Sequence, residues 1–259
     1  MDKVEPIIKV ENLVAGYGET VILENISFNV HPGEIFVILG GSGCGKSTLL
    51  KHLIGLISPF SGVITVDGDQ LTEDDEGTFM RILRKIGVLY QSSALLGSMT
   101  IGENIALPIG EYSGLAPEPA ERIIRMKLRL VGLDGYENYL PSEISGGMKK
   151  RAGIARAMAL NPRILFFDEP SAGLDPVTSA DIDELILNLN KMLKTTMVVV
   201  THELSSIFNI AHRIIMLDRE TKGIIAEGDP RDLRDNSTDP YVREFFNPGR
   251  GNAGKDKKI

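Results

Sequence analysis

Short apolar runs recur along the chain and predict the buried strands of a sheet. The runs are residues 35–39, 86–90, 164–167, 197–201 and 214–217. Segments with apolar residues at helical spacing lie between them, at residues 73–85, 181–193 and 204–211. Apolar strands that alternate with helices favour a parallel sheet covered on both faces, so we predict an α/β fold.

The first part of the chain has a different strand pattern. Residues 7–13 alternate between apolar and polar, and residues 21–30 follow a glycine-containing turn as a second strand. Glycines bound a third short strand at residues 62–68. These signals predict a small antiparallel sheet. A last edge strand is expected at residues 224–227.

No strand pattern interrupts residues 92–160, which we interpret as a helical insertion. Helices are predicted at residues 118–131 and from Ser145 to about Ala159. The first should carry a basic face of Arg122, Arg125, Lys127 and Arg129. We therefore predict one domain over residues 1–259. Its core is formed by residues 6–91 and 161–235, its helical subdomain by residues 92–160, and its C-terminal extension by residues 236–259, with a disordered tail from residue 247.

Composition narrows the classes of function. The 259 residues are 42% hydrophobic and 24% charged, which is ordinary for a soluble globular protein. A net charge of −7 argues against non-specific nucleic-acid binding. A single cysteine, Cys44, excludes a disulfide framework and a cysteine-based zinc site. No signal pattern or membrane-spanning apolar run is present, so we expect a cytoplasmic protein that another subunit would anchor to any membrane.

The strongest motif follows the strand at residues 35–39. It fits the phosphate-loop pattern of a glycine, four free positions, Gly-Lys and then Ser or Thr. Glycines let backbone N–H groups approach phosphate oxygens, and the helix that follows directs its positive end at them. Lys46 adds a charge, and the Ser47 hydroxyl is a suitable ligand for Mg²⁺. The candidate nucleotide ligands are Gly40, Gly41, Ser42, Gly43, Cys44, Gly45, Lys46, Ser47 and Thr48. The alternative is a glycine-rich turn without a ligand.

Polar residues at three other strand ends could complete this site. Asp168 and Glu169 end an apolar strand, where Asp168 could reach Mg²⁺ and Glu169 could polarise a water for attack on a γ-phosphate. Gln91 could bind Mg²⁺ or the attacking water, and His202 could donate to the γ-phosphate. Without a nucleotide site, the acids would simply follow a strand at a surface turn, and Gln91 and His202 would be ordinary polar residues.

A second anion site is predicted far along the chain. Ser145 is a natural N-cap, and Gly146 and Gly147 permit close approach to an anion. The neighbouring cations are Lys149, Lys150 and Arg151, which should raise the local potential. The alternative is a capped surface helix with a solvated basic face.

Together these segments resemble the ATP-binding-cassette ATPases. They match that family's motifs in order and spacing over about residues 6–235. The matching segments are the loop at 40–47, Gln91, residues 144–148, residues 168–170, residues 171–175 and His202. The resemblance implies a P-loop NTPase fold, with a RecA-like parallel sheet, a small antiparallel subdomain and a helical insertion. It also implies ATP hydrolysis with ATP and Mg²⁺ bound.

The family implies further roles. Tyr17 should stack on adenine. Two copies should clamp head to tail, with each ATP between the phosphate loop of one copy and the 145–147 segment of the other, and Asp175 should lie between the copies. In the motif at residues 144–148, Ile144 replaces the leucine and Met148 replaces the glutamine that are usual in the family. Because Ser145 and Gly147 are kept, we expect activity to be retained.

Shorter segments resemble the Mla-type ATPases, the cassettes of MCE-protein lipid transport systems in double-membraned bacteria. These segments are residues 91–96, 145–148, 167–176 and 239–245. The resemblance implies a permease dimer in the inner membrane, a periplasmic MCE-domain protein and often a STAS-domain subunit. The chain would then lie on the cytoplasmic face of the inner membrane and drive phospholipid transport between the inner and outer membranes.

Other functions stay open. The chain could serve an importer of amino acids or metals, or an exporter of drugs or lipoproteins. Cassettes that act on nucleic acid or ribosomes usually carry a second cassette, long coiled coils or zinc-binding cysteines, and this sequence has none of these. A P-loop kinase of a small molecule would lack the 145–147 segment.

Overall fold

The computed structural model describes residues 5–247 of the chain. Within them the strands are β1 (Ile8–Tyr17), β2 (Thr20–Val30), β3 (Ile35–Gly40), β4 (Ser61–Val66), β5 (Asp69–Gln70), β6 (Ile86–Leu89), β7 (Ile164–Asp168), β8 (Thr196–Val200), β9 (Arg213–Leu217) and β10 (Ile224–Gly228). The α-helices are α1 (Lys46–Leu53), α2 (Glu76–Leu83), α3 (Ile101–Tyr112), α4 (Pro117–Leu130), α5 (Gly146–Ala157), α6 (Pro176–Leu193), α7 (Leu204–Ile210), α8 (Pro230–Asn236) and α9 (Pro240–Phe246).

The larger sheet has the strand order β10-β9-β3-β8-β7-β6. The five strands from β9 to β6 are mutually parallel, and β10 pairs with β9 in the antiparallel sense at one edge. Parallel neighbours end on the same side of a sheet, so the carboxyl ends of β3, β8, β7 and β6 lie in a row. The predicted α/β class with a mostly parallel sheet is confirmed.

The two faces of β3 are buried in two different hydrophobic cores. Ile35, Val37 and Leu39 pack with side chains from α3 to α7, whereas Phe36 and Ile38 pack with α1 and the antiparallel sheet. All six residues of β3 are buried. Because full burial of a large apolar side chain stabilises by about 1.5–3 kcal/mol, β3 is a rigid support for the loop that follows it.

The smaller sheet is antiparallel, with the order β2-β1-β4-β5, as the alternating N-terminal pattern predicts. Residues 92–160 contain helices and no strand in the described chain. None of the helices within residues 5–247 combines the length and apolar character that a membrane crossing requires.

Several elements differ from the sequence prediction. Helix α6 begins at Pro176, five residues before the predicted start, because Asp175 caps it. Helices α3, α8 and α9 and the two-residue strand β5 were not predicted. Apart from Asn247, the predicted disordered tail lies outside the described residues.

The predicted basic face of α4 is wrong at Lys127. This side chain is buried, only 2% exposed, and its Nζ donates a hydrogen bond to Asn161 Oδ1 at 2.5 Å. Lys127 shares the inward face of α4 with Ile124 and Leu128, so its position in the helical period decides its burial. Arg122 and Arg125 are exposed but pair with glutamates one turn earlier on the same helix.

Candidate functional site

Four neighbouring strands bring the predicted catalytic segments to one edge of the larger sheet. The 40–47 loop begins at the end of β3, His202 follows β8, Asp168 ends β7 with Glu169 directly after it, and Gln91 follows β6. These residues are up to 162 positions apart in sequence and meet only because the strands are parallel and adjacent.

The phosphate loop is built around the start of α1. Gly45 is the N-cap of α1 with φ of +104°, and no side chain caps this helix, so its first N–H groups are directed at the loop. A Cβ on Gly45 would lie 2.8 Å from Leu23 Cδ2, so both conformation and space require glycine there. Lys46 Nζ donates to Gly40 O at 2.8 Å and to Gly41 O at 3.0 Å. The loop therefore folds around its own ammonium group.

The other loop residues differ in exposure. Ser47 is exposed at the site, whereas Thr48 and Cys44 are buried. Burial raises the pKa of the Cys44 thiol, which disfavours the reactive thiolate and agrees with a packing role. Tyr17 is 38% exposed, and its ring lies 5.2 Å from Lys51 Nζ, which leaves ring surface for a planar ligand.

Asp168 and Glu169 carry unpaired oxygen atoms at the sheet edge. Asp168 Oδ1 and Glu169 Oε2 are buried and have no hydrogen-bond partner among the described residues. Burial raises the pKa of Asp168, and the neighbouring charge of Glu169 raises it further. Buried polar atoms without partners are costly, so this pair fits a bound cation and a polarised water.

The ligand set at this edge fits Mg²⁺ better than a transition metal. No group of three or more His, Cys, Asp or Glu side chains capable of holding a metal occurs within residues 5–247. A divalent ion would instead take oxygen from Asp168, the Ser47 hydroxyl, Gln91 and substrate phosphates. Mg²⁺ characteristically binds through one or two carboxylates together with phosphates and water.

Glu169 and His202 form a direct pair. The distance between His202 Nδ1 and Glu169 Oε1 is 2.7 Å. A carboxylate oxygen accepts, so Nδ1 carries the proton in this pair, and Nε2 is the ring nitrogen that stays outside it. Glu169 has φ of +48°, in the left-handed region that non-glycine residues seldom adopt. Such strain is typical of functional sites.

The predicted second anion site lies at the start of α5. Ser145 caps this helix by accepting a hydrogen bond from Met148 N at 3.3 Å. Gly147 packs against α6, since a Cβ on it would lie 2.5 Å from Thr178 Cγ2. Asp175 caps α6 and accepts from the backbone N–H groups of Val177 and Thr178, both at 3.1 Å. The starts of α5 and α6 therefore lie side by side, with Ser145 and Asp175 exposed.

The predicted basic surroundings of this second site are wrong at Lys150. Its side chain is 5% exposed and points inward, where Nζ donates to Gln91 O at 2.6 Å and Glu169 O at 3.1 Å. Burial lowers the pKa of Lys150, and the negative charges of Asp168 and Glu169 oppose that shift. Arg151 also turns away from the helix start and donates to Val131 O.

Sequence reasoning missed a contact from the C-terminal helix. A Cβ on Gly41 would lie 2.9 Å from Tyr241 Oη, so the hydroxyl of α9 rests against the phosphate loop. Burial raises the pKa of Tyr241, with Asp218 and Cys44 nearby. The Asp-Pro pair before Tyr241 was a usable helix-start signal. Nothing in the sequence indicated that α9 would return to the loop.

Comparison with known proteins identifies the family. The sequence pattern of the ABC transporter family matches residues 23–172, which is more than half of the chain. The chain is an ABC transporter ATPase. This ABC ATPase therefore binds and hydrolyses ATP, and the family resemblance of its motifs is confirmed.

Curated relatives of the ABC ATPase carry different substrate names. It is 40% identical to the probable ribonucleotide transport ATP-binding protein mkl of Mycobacterium leprae over 94% of this chain and 69% of that protein. It is 39% identical to the intermembrane phospholipid transport system ATP-binding protein MlaF of Escherichia coli K12, over 88% of this chain and 84% of that protein. It is 40% identical to the methionine import ATP-binding protein MetN of Carboxydothermus hydrogenoformans, over 87% of this chain and 66% of that protein.

Solved structures of other cassettes have the same fold. A cassette of Clostridium perfringens, cbiO1 of a cbiONQ transporter complex, has a TM-score of 0.81 and 28% identity, covering 90% of this chain and 92% of that one. A dimeric cassette in a post-hydrolysis state with ADP and Pi has a TM-score of 0.76 and 33% identity, and the match covers 86% of this chain and 98% of that one. The predicted ABC ATPase fold is therefore confirmed.

Proposed function

We propose that this ABC ATPase powers phospholipid transport between the inner and outer membranes through a separate permease. The observation that supports the substrate is the 39% identity to MlaF of Escherichia coli, over 88% of this chain and 84% of that relative. MlaF of Haemophilus influenzae is likewise 39% identical, over 93% of this chain and 90% of that protein. The mkl and MetN relatives match equally well by identity, but this chain covers only 69% and 66% of their lengths. They define ribonucleotide and methionine transport as the competing functions.

In the proposed reaction the phosphate loop holds the triphosphate. The free N–H groups at the start of α1 donate to phosphate oxygens, and Lys46 exchanges its bonds to Gly40 and Gly41 for bonds to substrate. Tyr17 stacks on the adenine. Ser47, Gln91 and Asp168 would hold Mg²⁺, and that ion would supply positive charge beside the phosphate oxygens.

Glu169 and His202 act on the attacking water and the γ-phosphate. The carboxylate of Glu169 accepts a hydrogen bond from water and orients it in line with the bond to be broken. Glu169 holds His202 through Nδ1, so the imidazolium form of His202, which has a proton on each ring nitrogen, would donate through Nε2 to a γ-phosphate oxygen. Glu169 therefore also positions His202, so loss of Glu169 affects both the attacking water and the contact with the γ-phosphate.

The site is proposed to be completed by a second copy. Among the described residues, no hydrogen bond joins the 145–147 segment to the 40–48 loop of the same chain. The exposed Ser145, Gly146 and Asp175 are free to face another copy, and a 33% identical cassette has been solved as a dimer with ADP and Pi. We propose that the 145–147 segment of each copy closes over the ATP of the other.

A groove beside Gln91 is the proposed contact with the permease. It has a volume of about 560 Å³ and lies between α2 and β6 on one side and α3 and α5 on the other. Leu56 and Leu107 line it and are 56% and 40% exposed, so it offers apolar surface for a helix. Tyr90 also lines it and directly precedes Gln91, which gives a short path from permease to γ-phosphate.

The remaining partners follow from the same proposal. A permease dimer would hold the two copies at the cytoplasmic face of the inner membrane. A periplasmic MCE-domain protein would belong to the same complex, and a STAS-domain subunit could bind the cassette.

The test is reconstitution of the complex purified from its native membrane. We expect ATP-dependent transfer of labelled phospholipid between vesicles, with no uptake of labelled methionine or ribonucleotide. A complex with Glu169→Gln should bind ATP but transfer no lipid. ATP-driven uptake of methionine or ribonucleotide without lipid transfer would refute the phospholipid assignment.

A further inference from the structure

Lys150 joins two loops that meet at the catalytic edge. It lies in the second turn of α5, and its Nζ donates to the backbone carbonyls of Gln91 and Glu169 at 2.6 and 3.1 Å. Gln91 belongs to the loop after β6, and Glu169 to the turn after β7. One buried ammonium group therefore holds both loops to the same helix.

The turn that carries Glu169 depends on such bonds. Glu169 has left-handed φ, and such a conformation persists only where surrounding contacts determine it. Its N–H donates to Val200 O at 2.9 Å, and its carbonyl accepts from Ala172 N and from Lys150 Nζ, both at 3.1 Å. Of these contacts, only the one from Lys150 comes from outside the sheet edge and its own turn. Lys150 thus helps to decide where the Glu169 carboxylate lies.

The other end of α5 is the 145–147 segment. Only one and a half turns of helix separate Ser145 from Lys150, so displacement at the helix start is transmitted to the ammonium group. In the proposed dimer that helix start touches the ATP of the second copy. α5 then connects the second copy's ATP with the Glu169 turn of its own chain.

We propose that Lys150 is a positioning residue that couples the two ATP sites of the dimer. Binding of ATP against the 145–147 segment fixes the position of α5. Lys150 then fixes the positions of the Glu169 and Gln91 carbonyls in the same chain. Each site thereby hydrolyses efficiently only when the other is filled. This inference rests on the proposed head-to-tail dimer and adds to it a residue that carries the coupling.

The chain provides a matched comparison in Arg156. It also lies on α5 and donates to the loop after β6, through Nη1 to Ala94 O at 2.6 Å and Nη2 to Ser93 O at 2.9 Å. It makes no hydrogen bond to the Glu169 turn among the described residues. A variant at Arg156 therefore loosens the same loop and leaves the bond to Glu169 in place.

The experiment measures ATP hydrolysis by the full chain against ATP and protein concentration. For Lys150→Met we expect kcat to fall about 100-fold, the loss that a misplacement of about 1 Å produces, and the Hill coefficient for ATP to fall to about 1. Affinity for a fluorescent ATP analogue should stay within about threefold, because the phosphate loop is untouched. Lys150→Arg, which keeps a buried donor, should regain at least about tenfold in kcat, and Arg156→Met should keep the parent's Hill coefficient.

Three results would overturn the coupling role while leaving the proposed dimer in place. One is a Lys150→Met variant with the parent's Hill coefficient; another is an Arg156→Met variant that loses cooperativity equally. If Lys150→Met does not fold, Lys150→Gln replaces it in the experiment. The third refuting result is then a parent-like Hill coefficient in Lys150→Gln. If instead the parent's specific activity does not rise with protein concentration, the shared dimer itself is refuted, and the inference with it.

Discussion

Gly147→Ala is the substitution whose effect follows most directly from the geometry. The added Cβ would lie 2.5 Å from Thr178 Cγ2, whereas carbon atoms in good contact are about 3.5–4.0 Å apart. Thr178 cannot rotate away, because its Oγ1 donates to Asp175 Oδ2 at 2.6 Å and its N–H to Asp175 Oδ1. The start of α5 must therefore move away from α6 by about 1 Å.

The stability cost of this change should be small. Overpacking costs about 1–3 kcal/mol, and replacement of a helical glycine by alanine returns about 0.5–1 kcal/mol. The functional cost should be larger, because a shift of about 1 Å in a positioning group can reduce turnover about 100-fold. We expect Gly147→Ala to hydrolyse ATP about 100-fold more slowly at saturating ATP, with an unfolding free energy within about 2 kcal/mol of the parent.

A second substitution separates this steric account from a general defect. Thr178→Ser removes the obstructing methyl group and keeps the hydroxyl that bonds Asp175. The double variant Gly147→Ala/Thr178→Ser should recover most of the lost rate, and Thr178→Ser alone should hydrolyse ATP like the parent. Phosphate release by a Gly147→Ala variant at the parent rate would refute the reasoning, as would a double variant no faster than the single one.

Three further predictions concern binding, stability and pH. Lys46→Ala should weaken ATP affinity at least 100-fold, because a unit charge about 4 Å from a phosphate is worth roughly 4 kcal/mol; an unchanged dissociation constant by calorimetry would contradict this. Asn104→Leu should lower the free energy of unfolding in urea by about 3 kcal/mol, because Oδ1 of the buried amide accepts from Leu96 N and its two N–H donors are shared among the carbonyls of Leu96, Met99 and Thr100; a loss under about 1 kcal/mol would be inconsistent with these bonds. Burial raises the pKa of Asp183, so the folded state holds this proton more tightly than the unfolded chain, and stability falls as pH rises from 3.8 through the folded pKa. Asp183→Asn should therefore be more stable than the parent at pH 7 and equal to it below pH 4, and the reverse order in urea titrations at the two pH values would refute it.

The central strands could be predicted from the sequence because each is apolar on both faces. A run such as residues 164–167 needs no periodic pattern to be recognised as buried. Helix α3 was harder, because Pro108 lies inside it and Gly102 lies near its start. The capping box of Thr100 and Glu103 was present in the sequence and would have located its start.

Candidate site residues at strand ends could also be found from sequence, since a parallel sheet places them together. The direction in which a long side chain points could not be predicted from sequence. Lys150 has a polar neighbour on each side, so local composition suggested a solvated cation near an anion site. Its inward position depends on the packing of α5 against β6 and on carbonyls 59 and 19 residues away. No local pattern contains that information.

The place of β3 in the sheet has a consequence for synthesis of the protein. Its two partner strands are β8 and β9, so the strand that carries the phosphate loop has no strand to pair with until residues 196–217 have left the ribosome. At about 5–20 residues per second, roughly 10–35 s pass between the synthesis of the loop and that of β9. During this interval nucleotide cannot stabilise the nascent chain through a finished loop. A chaperone that shields apolar β3 would therefore act on this ATPase before ATP itself can.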